Sequence, residues 1–185
     1  MNVALITGSS RGIGLAAAKA LAAEGFAVAL NGPFDDEELE GAVAEIHDAG
    51  GNAIKAPFDV SDLQAHDRAL SRIEETLGPL TTLVNNAGVG VLSRGDPLEV
   101  SEESWDRCLT INTKAAFFLT QAVAKRWLSQ NRSVELFHSI VNITSSNAVA
   151  VAEPRAEYAA SKAAAAMVSK TWAVRLGREG IAVYD

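Results

Sequence analysis

Tyr158 and Lys162 stand four positions apart in AEYAASKAAAAM, residues 156–167, a segment otherwise made largely of alanine. Alanine is the strongest helix former, and a four-residue step returns to the same helix face about 6 Å further on. The two side chains therefore point together. A free tyrosine titrates at about 10, too weak an acid to protonate an alkoxide efficiently at neutral pH. A unit positive charge ~5 Å away, at an effective dielectric of about 20, contributes ~3 kcal/mol, or about two pK units. A Tyr–Lys pair so spaced can give a proton to a carbonyl oxygen during reduction, or take one from an alcohol during oxidation. The plain alternative is a surface tyrosine above a solvated lysine, and the rest of the chain decides between them.

A second stretch with chemistry in it is TGSSRGIG, residues 7–14, with glycines at 8, 12 and 14. The spacing is a variant of the dinucleotide fingerprint. Gly8 permits a tight exit from a strand, Gly12 lets backbone approach a pyrophosphate at a helix N-terminus, and Gly14 lets that helix pack close to the sheet. The three histidines, His47, His66 and His138, have no metal-ligand spacing, and no metal is expected.

Positioning these residues falls to an alternation of short apolar runs and longer amphipathic ones. Strands are expected over residues 3–7, 27–31, 53–58, 82–85, 140–144 and 181–184. Helices are expected over 12–24, 35–49, 63–77, 102–111 running on through 112–129, and 156–178. Short continuous apolar strands between amphipathic helices imply a parallel sheet covered on both faces. With right-handed crossovers the expected fold is a doubly wound, Rossmann-type α/β sheet of order 3-2-1-4-5-6, in one domain over residues 1–185. Ser61 to Gln64 has capping-box spacing, and the acidic run 35–38 suits a first helical turn.

Composition is that of a globular protein, 48% hydrophobic and 21% charged, with a net charge of −7. The absence of a basic stripe argues against nucleic acid as a partner. No apolar run is long enough to span a bilayer, so no membrane partner is expected. The single cysteine, Cys108, excludes an internal disulfide framework, and strand-like sequence from residue 2 leaves no room for a signal peptide. The expected location is the cytoplasm.

TGSSRGIG, Asp59-Val60, NNAG (residues 85–88), Asn112, Ser145 and YAASK together resemble the short-chain dehydrogenase/reductase family, in its order and rough spacing, from residue 2 to 185. The resemblance implies an NAD(P)-dependent oxidoreductase moving a hydride between nicotinamide and a carbonyl or secondary alcohol. Tyr158 is its implied general acid and base, beside Lys162, with Ser145 holding the carbonyl oxygen. Ser146 is the rival by proximity. Asn112 would hold, through its backbone carbonyl, a water that relays protons to Lys162. An Asn inside a helix is locally unfavourable, which hints at a task. The loop residues Gly8, Ser10, Arg11, Gly12, Ile13 and Gly14 are implied to hold the cofactor, with Asp59 and Val60 at the adenine and Asn86, Ala87 and Gly88 beside the ribose. Asp59 also reads as a simple helix-entry acid. NADP is favoured over NAD, because the acid that NAD-preferring relatives place at the end of strand two is Gly32 here and Arg11 is placed to meet a 2′-phosphate.

The substrate implied by overall resemblance is a 3-oxoacyl thioester on a carrier protein. Carrier-protein reductases tend to present a basic residue where Glu179 stands here, and residues 130–138 are longer than their usual turn. A sugar, polyol or other small secondary-alcohol dehydrogenase therefore stays open. Arg155 could meet an anionic substrate or be an ordinary loop arginine. The alanines of 156–167 let that helix lie between the sheet and a partner helix, which in the family commonly belongs to another subunit, so a homodimer or homotetramer is expected of the complete form. Family members usually run further, through a Pro-Gly turn, a substrate-covering loop and a seventh strand. A chain ending at Asp185 is accordingly expected to bind the adenosine half of the cofactor and to reduce ketones poorly; a cofactor-binding fragment without turnover is the remaining alternative.

Overall fold

In a computed structural model, which describes residues 2–129 and 136–185, six parallel strands form one sheet in the order β3-β2-β1-β4-β5-β6. The strands are β1 (Val3–Ile6), β2 (Ala27–Leu30), β3 (Asn52–Lys55), β4 (Thr82–Asn85), β5 (Ser139–Asn142) and β6 (Ala182–Tyr184). The helices are α1 (Gly12–Ala23), α2 (Glu37–Asp48), α3 (Ala65–Leu77), α4 (Glu102–Leu109), α5 (Ala116–Ser129) and α6 (Ala156–Gly177). Strand order reverses between β1 and β4, which opens a crevice at the carboxyl ends of the strands. Most of the stretch 130–138, noted above for its length, lies outside the described residues.

Alternation along β1 divides the core. Val3 and Leu5 face one side, packed with Leu70, Ile73, Leu119, Trp127 and Leu176 from α3, α5 and α6. Ala4 and Ile6 face the other, with Ala18, Leu39 and Ile46 from α1 and α2. The short strands are apolar on both faces because both faces are covered. No helix among the described residues is long and apolar enough to cross a membrane.

Three departures from the expected elements have local causes. Regular β3 ends at Lys55, well short of residue 58. Beyond it the amides of Ala56 and Phe58 still donate to the carbonyls of Leu30 at 2.7 Å and Gly32 at 3.0 Å, and the Asn31 side-chain amide donates to the carbonyls of Ala56 at 3.0 Å and Phe58 at 2.9 Å. α3 starts at Ala65, without the capping box at Ser61. Asp59 and Asp62 instead capture the amides of Ser61 (2.8 Å) and Gln64 (3.0 Å), which builds turns where helix was expected. The expected continuous helix through residue 111 is broken by a π-helical turn, Thr110–Ala115, between α4 and α5. Such turns interrupt the helical ladder and concentrate at functional sites. This one carries Asn112. The acidic run behaves as expected, with Asp36 capping α2 through the Leu39 amide at 3.0 Å.

Candidate active site

The crevice at the strand ends is an open cleft of about 840 Å³. On its first wall the chain leaves β1 at Thr7 and turns through Gly8, whose φ of +61° suits glycine alone. Gly14 is held tightly: a Cβ there would stand 2.4 Å from the Gly8 carbonyl oxygen and 2.5 Å from Asn86 Nδ2. Helix α1 can pack this close to the loop only because residue 14 has no side chain. Gly8, Ser10, Arg11 and Ile13 line the cleft, Gly14 packs behind that loop, and Gly12, exposed with open space about it, does not line the cleft.

Two asparagines hold this loop in place. Asn86 Nδ2 donates to the carbonyls of Thr7 at 2.9 Å and Gly8 at 2.8 Å. Buried Asn31 accepts from the Gly8 amide at 3.2 Å while its amide holds the ends of β2 and β3. The Thr7 hydroxyl accepts from the amides of Asn86 and Ala87, each at 3.0 Å. Sequence reading missed Thr7 and Asn31; the signal was a polar residue closing an otherwise apolar strand, as in AVALN. Asn85, whose amide reaches Thr120 and Asn142 at 2.9 Å each, braces the sheet from within.

Asp59 and Val60 line the same end of the cleft, as do Ala87 and Gly88 further along. Asp59 is exposed, and its Oδ1 accepts from both the amide and hydroxyl of Ser61 at 2.8 Å. Arg11 forms an exposed ion pair with Glu38 at 3.3 Å. A pair this exposed is worth at most about 1 kcal/mol and yields readily to a stronger anion.

Tyr158 and Lys162 line the opposite end. Lys162 Nζ lies 5.9 Å from the centroid of the Tyr158 ring, so the helix presents both to one space. The ammonium is buried and donates to the Ile143 carbonyl at 2.8 Å, which ties α6 to the end of β5. Burial lowers its pKa below the usual lysine value. No group among the described residues hydrogen-bonds the Tyr158 hydroxyl, which leaves it for a ligand.

Ser145 does not line the cleft; Thr144 does. The Ser145 hydroxyl accepts from the Asn147 amide at 3.1 Å and caps the short turn Ser146–Ala148. A hydroxyl that accepts from backbone keeps its own proton to donate. Ser146 is exposed. Asn112 is buried, and its side chain clamps the loop after β4: Oδ1 accepts from the Val89 amide at 2.8 Å and Nδ2 donates to the Val89 carbonyl at 3.0 Å. The same Nδ2 donates to Ser161 Oγ at 2.9 Å. A Cβ on Gly88 would stand 3.2 Å from Asn112 Oδ1 and 3.6 Å from Lys162 Nζ, so these three residues converge.

The family described as short chain dehydrogenase matches residues 2–185. This chain belongs to the short-chain dehydrogenase family. It is 39% identical over 181 residues to gluconate 5-dehydrogenase of Gluconobacter oxydans, covering 97% of this chain and 67% of that protein. Among solved structures it resembles a 3-oxoacyl-[acyl-carrier protein] reductase from Brucella melitensis in complex with NAD, with a TM-score of 0.92 and 35% identity. That match covers 98% of this chain and 70% of the other. An actinorhodin polyketide ketoreductase with NADPH superposes with a TM-score of 0.90 at 31% identity, covering 98% and 67%. The short-chain dehydrogenases are NAD(P)-dependent oxidoreductases, and this chain is one of them.

Proposed function

We propose that this short-chain dehydrogenase uses NADP(H) to interconvert a carbonyl and a secondary alcohol, with Tyr158 as proton donor and acceptor. The observation that carries the reading is the common cleft. The glycine loop opens into one end of it, and Tyr158 with Lys162 faces the other. The dinucleotide, when bound, supplies or accepts the hydride. Its pyrophosphate would lie against the N-terminus of α1, its adenine beside Asp59 and Val60, and its ribose beside Asn86, Ala87 and Gly88. Close backbone approach at Gly8 and Gly14 and an unclaimed Tyr158 hydroxyl fit that occupant.

Tyr158 gives its proton to the developing alkoxide in reduction and takes it back in oxidation. The Lys162 ammonium, 5.9 Å from the Tyr158 ring centroid, would also hold ribose hydroxyls. Ser145, next in sequence to the lining residue Thr144 and with its proton free to donate, would have to turn into the cleft to steady the carbonyl oxygen. Asn112 keeps the loop at Gly88 and Val89 at the right distance; its backbone carbonyl sits in the π turn, where a water joined to Lys162 would complete proton relay. Arg11 and the missing acid at Gly32 favour NADP over NAD.

Among substrates, small hydroxy or polyhydroxy compounds fit better than a carrier-bound acyl thioester. Arg175, near the expected carrier-docking position, is already paired with Glu179 at 2.9 Å. An acyl thioester is the second reading. The assembly proposed is a homodimer or homotetramer in the cytoplasm. The experiment is a fluorescence titration with NADPH and NADH, followed by a carbonyl panel with whichever binds. Tight NADPH binding with turnover of at least one ketone supports the reading, and no binding of either nucleotide contradicts it.

A further inference from the structure

The two ends of the cleft differ in charge in a way cofactor binding does not explain. Among the residues lining it are four cations, Arg11, Arg94, Arg155 and Lys162, against a single carboxylate, Asp59. The chain as a whole carries a net charge of −7. Arg11 and Asp59 belong to the adenosine end. Arg94 and Arg155 belong to the other, on two loops joined by the Gly95 amide donating to the Pro154 carbonyl at 3.4 Å. The Arg155 guanidinium carbon lies 5.7 Å from the centroid of the Tyr158 ring.

Neither arginine forms an ion pair among the described residues. Of the nearby acids, exposed Glu153 shares a short turn with Arg155 without pairing to it, and two others are otherwise placed. Asp96 turns its carboxylate to the Leu98 amide, and buried Glu157 accepts from the Ser104 hydroxyl at 2.5 Å. Arg155 also occupies the N-cap of α6, where a side chain that accepts hydrogen bonds is usual, and it makes no capping bond there. A cation at that end adds to the positive pole of a 22-residue helix instead of offsetting it. Glu157 in the first turn offsets part of that charge, and an anion held by Arg155 would offset more.

Resting on the oxidoreductase reading of this site, we propose that its substrate is a small hydroxy or oxo acid whose carboxylate is held between Arg94 and Arg155. In the oxidative direction the carbinol carbon gives its hydride to NADP⁺ and the hydroxyl proton passes to the Tyr158 phenolate. The products are the oxo acid, NADPH and a proton released to solvent; the carboxylate is unchanged throughout. An acyl thioester or neutral polyol offers the two guanidinium groups no counter-charge at this position.

The test compares kcat/KM for 3-hydroxybutanoate and D-gluconate, each against its methyl ester, and for the neutral polyol D-glucitol, with NADP⁺ and with NAD⁺. At least one acid should exceed its ester by about tenfold or more. In Arg155→Met the acid-to-ester ratio should fall between about 10- and 100-fold, through KM more than kcat, with Arg155→Lys recovering part of it. Arg94→Met should lower the same ratio and supplies an independent arm if the α6 cap tolerates no change. Esters or glucitol turned over as well as the acids, or ratios unmoved by both variants, would overturn the inference and leave the oxidoreductase reading standing. Where nothing turns over, D-gluconate and its methyl ester are titrated against the NADP⁺-bound protein: equal affinity would overturn the inference, and no binding of NADP⁺ or NAD⁺ would overturn both.

Discussion

At Lys162 the two demands on the proposed ammonium pull against each other. It stands buried, 5.9 Å from the Tyr158 ring centroid, and that burial makes its charge harder to keep. The folded pKa lies below the unfolded one, so the charge is fully present at low pH and is lost as pH rises through a value beneath that of free lysine. NADPH affinity and turnover should therefore fall along an alkaline limb that begins below the ordinary lysine range. Affinity measured against pH should show that limb in the starting protein and a shift of it to higher pH in Lys162→Arg; a flat profile to pH ~10 would contradict the assignment. Gly32 decides the other nucleotide question. Its φ is not left-handed, and a Cβ there would make only ordinary contacts, the nearest at 3.6 Å with the Phe34 carbonyl oxygen. Gly32→Asp should fold normally and move the NADPH-over-NADH preference toward NADH by about 2 kcal/mol, the scale of a charge-assisted contact. Titrating both nucleotides on both proteins checks it, and an unchanged ratio would count against the 2′-phosphate lying near Arg11.

At the scale of elements, the glycine loop and the helix behind it act as one unit. Gly14 packs against Gly8 and Asn86 with no room for a methyl group, whereas Gly41, inside α2, faces open space. Gly14→Ala should lower unfolding free energy by about 2 kcal/mol and weaken NADPH binding. Gly41→Ala should raise stability by about 0.5–1 kcal/mol, since only helix propensity changes. Urea unfolding of the two proteins reads both signs. The same contrast shows what sequence makes legible. Glycine spacing, apolar runs and the Tyr158–Lys162 step are local patterns, and the strand order implied by the apolar runs is the one observed. What stayed hidden depends on contacts far apart in sequence. Asn31 reaching Ala56 and Phe58, Thr7 receiving the amides after β4, and Asn112 closing on Val89 leave no periodic trace. Nor did the π turn, because helix propensity alone does not report a shift of hydrogen-bond register.

Across the whole molecule, α5 and α6 lie side by side through Phe117 and Trp172, whose ring centroids are 5.1 Å apart. Their outward faces carry Phe118, Leu128, Met167 and Val174, all exposed. These are the residues on which the proposed assembly would form. Light scattering should give a mass two or four times 19.4 kDa, and Met167→Glu with Val174→Glu should return it to one unit with NADPH affinity retained. A single-unit mass in the starting protein would contradict the assembly. The cleft itself draws on every layer, with β1 and α1 supplying the glycine loop, the chain after β4 the wall at Asn86 to Gly88, the π turn its brace and α6 the tyrosine and lysine. The proposed function turns on one proton at one oxygen. The direct test is therefore to measure NADPH affinity and single-turnover reduction of the same carbonyl by the starting protein and by Tyr158→Phe. The account predicts affinity within about twofold and a rate lower by about a hundredfold or more, as expected when a positioned acid is removed. A Tyr158→Phe protein that reduces the carbonyl at a comparable rate would show that the proton comes from elsewhere.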